Sequence, residues 1–540
     1  MTVKSVLLAM SVGCLPVAAL AAPDVATPIP HFETRGNHHA LIVDGAPFLM
    51  LGGQVNNSSN YAEPLESAWG VLDRIHANTV EVPIAWQQVE PEEGKFDLSF
   101  LQTLLDRARA HDKRVVLLWF GTWKNGGPGY LPAWVKLDNK RFPRMKDPTG
   151  KDHYAHTALG RATLEADKRA FVKVMEYLRD HDPQNTVILV QPENETGSYR
   201  LPRDHSAAAN ALFAQAIPAA LAKRTGKSGT WTQAYGAQAE RAFNTWYVAS
   251  FVNEIAAAGK AVKPLPMYAN ASLAGPSQIP DPMAVSSGGP QWDVLDIWKA
   301  AAPAIDAEAP DIYDKASADA VQYLDKYARP DNPLMVPEIG NDRLFARYFY
   351  PAIGRGAVGF SPFGMDDSGY SNYPLGAKTL DDKTLDAFAL PFRTLGSIMR
   401  DWARIAFEKP TWGVAKPDDG ASQSTVMGNW KITARWGQWQ FGQGEDAKAE
   451  RPSWAGEPVG GAAVAQLSAD SFLVVGDHVR LDFTPAPGSP ANGIMVNVEE
   501  GRFENGQWVT SRVWNGDETD YGLNLVDRPQ VLRVTMGHYR

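Results

Sequence analysis

Two glutamates that end apolar runs carry the chemistry this sequence offers. Val187-Ile188-Leu189-Val190 places four apolar residues in a row, three of them β-branched, which suits a strand buried on both faces. The run ends in Gln191-Pro192-Glu193-Asn194-Glu195. A second stretch, Leu334-Met335-Val336-Pro337-Glu338, has the same form. Acids where a buried strand surfaces are costly unless solvated, paired or used. Two of them on separate core strands are expected to form the carboxyl pair of glycosidic bond hydrolysis. Glu195 is expected as the acid/base and Glu338 as the nucleophile. Asn194 is expected to hydrogen-bond a sugar 2-hydroxyl, and Tyr313 to orient Glu338 through its hydroxyl. Glu193, two residues before Glu195, shares its strand face only if the strand continues, so a structural role is expected of it. Glu81 and Glu90 either line the cleft or pair with arginine. His153 and His156 sit in a polar loop and are expected to be solvated. No compact His, Cys and Asp set has ligand spacing, so neither metal nor other cofactor is called for.

Alternating elements must position these groups. Phe48–Gly53, Thr79–Ile84, Val115–Phe120, the Val187 run, Pro266–Asn270, Ala309–Tyr313, Leu334–Glu338 and Gly356–Ser361 read as eight short strands. Helical periodicities lie between them, at 65–76, 100–108, 171–178, 206–224 and 236–259, with another at 384–407. Residues 121–161 read as one long loop, and loops of that length are usually functional or disordered. The pattern predicts an α/β fold, a (β/α)8 barrel with insertions over residues 41–408. Function in such barrels gathers at the C-terminal ends of strands. A doubly wound sheet is disfavoured because no Gly-rich fingerprint follows the first strand. Beyond Lys409 short alternating runs separated by Gly, Asp and Pro predict a smaller antiparallel β-sandwich, 409–540, with a loop or flap at 442–461.

Composition narrows the partners. The 540 residues carry a formal net charge of −9, which disfavours nucleic acid. There are 17 Trp and 17 Tyr, a content that suits an oligosaccharide partner, although most such rings belong to cores. Lys4, the apolar run Val6–Leu20 and Ala19-Leu20-Ala21 predict a signal peptide over 1–21, followed by a leader over 22–40. Cleavage after Ala21 would remove Cys14, the single cysteine, so no disulfide is expected. Ser11-Val12-Gly13-Cys14 is only a faint lipoprotein box, with Ser where Leu is usual. No later run reaches the roughly 20 apolar residues of a membrane span. Asn194-Glu195-Thr196 is formally a glycosylation sequon, and a glycan there would block the site. Export to the periplasm of a Gram-negative bacterium reconciles these readings.

The segment Val190-Gln191-Pro192-Glu193-Asn194-Glu195-Thr196-Gly197-Ser198-Tyr199 resembles the strand-four motif of glycoside hydrolase family 35, the β-galactosidases. Ala77-Asn78-Thr79-Val80 with Trp86 and Glu90-Pro91-Glu92-Glu93-Gly94 resembles that family's second-strand segment, and Leu131-Pro132-Ala133-Trp134 the stretch after strand three. The resemblance covers roughly 45–365. It implies a retaining, exo-acting β-galactosidase with Glu195 as acid/base and Glu338 as nucleophile. It also implies galactosylated oligosaccharides, xyloglucan fragments among them, as substrates. The family's Ala-Glu pair after strand three is replaced here by Gly121-Thr122-Trp123-Lys124-Asn125-Gly126-Gly127. Trp123 and Asn125 are therefore expected as subsite residues, with Trp123 stacking on a sugar. Two other readings stay open: a related β-glycosidase for another sugar, and a carbohydrate-binding barrel without catalysis.

Overall fold

The computed structural model describes residues 27–438, 451–489, 491–528 and 530–539. The expected signal peptide with Cys14, the start of the leader and residues 442–450 of the 442–461 flap lie outside the described residues.

Eight parallel strands form one sheet: Met50–Gln54, Thr79–Ala85, Arg114–Lys124, Val187–Asn194, Tyr268–Ser272, Ala307–Ile312, Val336–Ile339 and Gly359–Pro362. A parallel bridge from Val190 to Met267 joins strands four and five and closes the ring. Alternation along strand three shows how the barrel fills. Val115, Leu117 and Trp119 point out into the helix layer, while Val116, Leu118 and Phe120 point into the barrel.

The expected leader proves to be structural. His31–Arg35, His38–Val43 and Ala46–Phe48 form an antiparallel three-stranded sheet. Leu41, Val43 and Phe48 of that sheet pack with Met50, Val116, Ile188 and Met335 from inside the barrel. The short sheet thus plugs one end of the barrel with apolar side chains and leaves chemistry to the other mouth. Its strands were missed because each is short and polar on one face, which is also how a leader reads.

Two further expectations change. Strand three runs on to Lys124, and the long loop after it contains a helical turn, Ala133–Lys136, and a hairpin, Arg144–Lys146 with Asp152–His156. The expected helix at 384–407 is two helices, Asp382–Gly396 and Met399–Glu408. Among the described residues beyond 410, a six-stranded and a four-stranded antiparallel sheet share a core built on Trp430, Ile432, Phe472, Val474, Leu481 and Val534. No helix among the described residues is long and apolar enough to cross a membrane.

Candidate active site

Strand four does not end straight. Glu193 and Glu195 both take left-handed backbone conformations, with φ of 68° and 44°. Such conformations cost of order 1 kcal/mol or more for a non-glycine residue and persist only where the surroundings hold them. Here the holding bonds are plain. The Glu195 amide donates to Asn270 Oδ1 at 2.9 Å, and its carbonyl accepts from the Gly126 amide at 3.0 Å. The inverted backbone separates two acids that an ordinary strand would put on one face. Glu193 turns into the wall, where its carboxyl accepts the amides of Thr122 at 3.0 Å and Trp123 at 2.7 Å. Burial and the neighbouring Asp167 hold the Glu193 carboxyl well above its usual range, so this acid is a structural clamp on the end of strand three. Glu195 instead turns to the barrel mouth.

There it meets Glu338. One carboxylate oxygen from each of Glu195, Glu338 and Asp311 lies within 4.8 Å of the others. Glu338 comes from strand seven, where Tyr313 donates its hydroxyl to Oε1 at 2.6 Å and Gln54 donates Nε2 to Oε2 at 3.0 Å. Glu195 faces it in a different environment. Burial pushes its carboxyl up to about 7, with Glu338 adding to the rise and the Lys124 ammonium, 4.0 Å from Oε2, opposing it. The arrangement sets an acid whose carboxyl is held up near 7 opposite a carboxyl fixed by two hydrogen bonds, a geometry that an acid and a nucleophile can use.

Asn194 is fully buried, and neither its amide oxygen nor its amide nitrogen has a hydrogen-bond partner. Buried polar groups are rarely left so, and an incoming hydroxyl would satisfy both. Asn125 is exposed at the rim with φ of 53°, and its side-chain oxygen accepts Lys124 Nζ at 2.6 Å. Trp123 departs from expectation. It is 1% exposed and packs edge-on against Phe251 at 4.8 Å, so no ring face is open to a sugar. The extension of strand three puts Trp123 in the wall rather than in a loop. Glu90 is also structural, accepting Trp86 Nε1 at 2.9 Å, the Gly94 amide at 2.8 Å and Arg169 at 3.1 Å. His156, expected in solvent, is buried, and burial pushes its imidazole down to about 4.

Sequence reasoning missed Asp311, Lys124, Gln54 and Asn270. A signal for Asp311 existed: it sits near the end of the strand Ala307–Ile312, in register with Glu338 on the next strand. Gln54 and Lys124 end strands one and three and Asn270 sits in the middle of strand five, and single polar residues in or at the end of strands are too common to single out. The spacing of the three acids would also suit a cation, though Lys124 already supplies a positive charge beside Glu195.

A barrel with paired acids across its C-terminal mouth is the class that fold and site define. Residues 61–243 match the family model of glycoside hydrolase family 42, described as "Beta-galactosidase", rather than a family 35 model. Residues 388–526 match a domain of unknown function, DUF5597. The chain is 29% identical over 212 residues to a β-galactosidase of Xanthomonas manihotis, an alignment that covers 37% of this chain and 32% of that protein. The chain thus spans about a third of the length of the curated relative it matches. Among solved structures it is similar to the β-galactosidase from Rahnella sp. R3, with TM-score 0.47, 18% identity, and 69% of this chain and 59% of that chain covered. It is also similar to the β-galactosidase from the psychrophilic Marinomonas ef1, with TM-score 0.49, 13% identity, and 66% and 62% covered.

Proposed function

We propose that the protein is a retaining glycoside hydrolase that releases terminal β-galactose from oligosaccharides. The observation that carries this reading is the approach of Glu195 and Glu338 within 4.8 Å, each in the environment its role needs. Retaining enzymes hold their two carboxyls roughly 5–5.5 Å apart, whereas inverting enzymes leave room for a water at roughly 6.5–9.5 Å. In the first step Glu338 attacks the anomeric carbon while Glu195 gives its proton to the departing oxygen. In the second, Glu195 takes a proton from water, and the hydroxide equivalent displaces Glu338. Asn194, unpaired and beside the acid, hydrogen-bonds the 2-hydroxyl, a contact that strengthens at the oxocarbenium-like transition state. The strand-four motif supports a family 35 type of galactosidase, and exo action on xyloglucan fragments rests on that resemblance.

Assay of nitrophenyl β-galactoside tests the reading. Glu338→Gly is expected to lose at least about 1,000-fold in kcat, with azide restoring turnover as a galactosyl azide. Undiminished activity in that variant sinks the nucleophile assignment. A second reading keeps the chemistry and changes the sugar. It is favoured by Gly121-Thr122 standing where the resembled family has Ala-Glu, and by Trp123 having no open face. A panel of aryl β-glycosides separates the two, and turnover of any of them ends the reading of a non-catalytic binding barrel.

A further inference from the structure

The third acid of the cluster has no role in the two-carboxyl scheme. Asp311 is 2% exposed and lies between Asn270 on strand five and Glu338 on strand seven. The Asn270 side chain bridges two groups: its Oδ1 accepts the Glu195 amide at 2.9 Å, and its Nδ2 donates to Asp311 Oδ2 at 2.7 Å. That amide fixes Asp311 so that Oδ2 is the acceptor. The other oxygen, Oδ1, is buried and has no donor among the described residues. One oxygen of the Asp311 carboxyl lies within 4.8 Å of an oxygen of Glu195 and of Glu338. A bare buried carboxylate oxygen beside two other carboxyls is costly twice, once in desolvation and once in repulsion. A proton on Oδ1 removes both costs.

Resting on the hydrolase reading, we propose that Asp311 stays protonated through the cycle and donates its O–H to the Glu195 carboxylate formed when the leaving group takes its proton. The proton of Asp311 never leaves. Glu195 alone gives a proton to the glycosidic oxygen and regains one from water. Asp311 is thus a positioning residue that makes the basic form of Glu195 less costly. The surrounding charges agree. Burial, Glu338 and Glu195 all hold the Asp311 carboxyl well above its usual range, with the Lys124 ammonium opposing. Tyr268, Tyr313 and Tyr327, which also face Asp311, have their own hydroxyls pushed up and stay neutral, as does Tyr199 beside Glu195.

An asparagine reproduces this arrangement, because its Oδ1 can accept from Asn270 while its Nδ2 donates to Glu195. Asp311→Asn is therefore expected to keep kcat within about three-fold of wild type and to leave the basic limb of the pH–rate profile in place. Asp311→Ala removes the donor and is expected to lose roughly 10- to 100-fold in kcat and to move that limb to higher pH. An anionic Asp311 predicts the reverse for Asp311→Asn: the limb falls by about one pH unit or more, and that result overturns the proposal. Infrared difference spectra at neutral pH give a second arm that needs no activity. Wild type minus Asp311→Asn should contain a protonated-carboxyl C=O band, and its absence overturns the proposal. A wild type that turns over no aryl glycoside sinks the hydrolase reading separately, and the infrared arm still decides the state of Asp311.

Discussion

Tyr313 and Glu81 show how single side chains set the charge pattern of this site. Tyr313 gives Glu338 its shorter hydrogen bond, at 2.6 Å. Replacing it with phenylalanine leaves the fold intact and one carboxylate oxygen unsupported. Tyr313→Phe is expected to lose about 10- to 100-fold in kcat with a smaller change in KM, measured on an aryl galactoside. Glu81 lies below the reacting pair, where it accepts the Tyr268 hydroxyl at 3.2 Å and its Oε1 has no partner. Burial pushes its carboxyl from 4.5 up to about 8. A raised folded-state value means that the folded protein binds the proton more tightly. The stability due to Glu81 is therefore fully present below about 4.5 and lost as pH rises through about 8. Glu81→Gln fixes the neutral form, so its Tm should fall less than that of wild type across this window. Parallel Tm curves for the two proteins would refute the assignment.

At the scale of elements, the end of strand four is held by what packs behind it. Gly197 and Ser198 pair with Gly288 and Ser287 in a two-residue antiparallel ladder just past Glu195. Gly197 has φ of 110°, and a Cβ there would sit 2.0 Å from the Ser287 carbonyl oxygen. No side chain fits without parting the ladder. Gly197→Ala is expected to cost roughly 2–3 kcal/mol and to lower kcat through displacement of Glu195. Unchanged Tm and kcat in this variant would show that the ladder does not position the acid. The same bent segment explains why Glu193 and Glu195, identical in type and two apart, do different work. One clamps the Thr122 and Trp123 amides in the wall, while the other meets Glu338. Period-two reasoning holds only while the strand stays extended, and both residues have left it.

Barrel and sandwich are joined by a shared core. Ala463, Ala465, Leu473, Val475 and Val531 of the sandwich pack in the same apolar cluster as the barrel's outer helices. The short helix Phe349–Ile353 lies against the sandwich strand Thr411–Ala415, and a Cβ on Gly413 would sit 2.1 Å from the Tyr350 carbonyl oxygen. The Tyr350 hydroxyl donates to Asp477, and Arg347 donates to the Lys416 carbonyl and to Asp418, both at 2.6 Å. Apolar surface of this kind cannot be left open to water without penalty. Removal of residues 409–540 is expected to yield an insoluble barrel, and the whole chain to melt in one calorimetric transition. A soluble, folded barrel after truncation would contradict this account.

Much was legible in the sequence because it is local. Short stretches rich in apolar residues marked the eight barrel strands, and Glu195, Glu338, Asn194 and Tyr313 were expected at the ends of such stretches, where the structure places them. The tertiary structure alone decided which acids meet and what surrounds each of them. Gln54, Lys124, Asn270 and Asp311 reach the site from four other strands, and their hydrogen bonds to Glu338, Asn125, Glu195 and one another depend on barrel register. The fate of Trp123 depended on where strand three ended, and that was set by Glu193 capturing two amides from a neighbouring strand. Short-range pattern fixes where a side chain leaves the core. Desolvation and long-range contacts, which no window of sequence contains, fix what it touches there and whether it carries a proton.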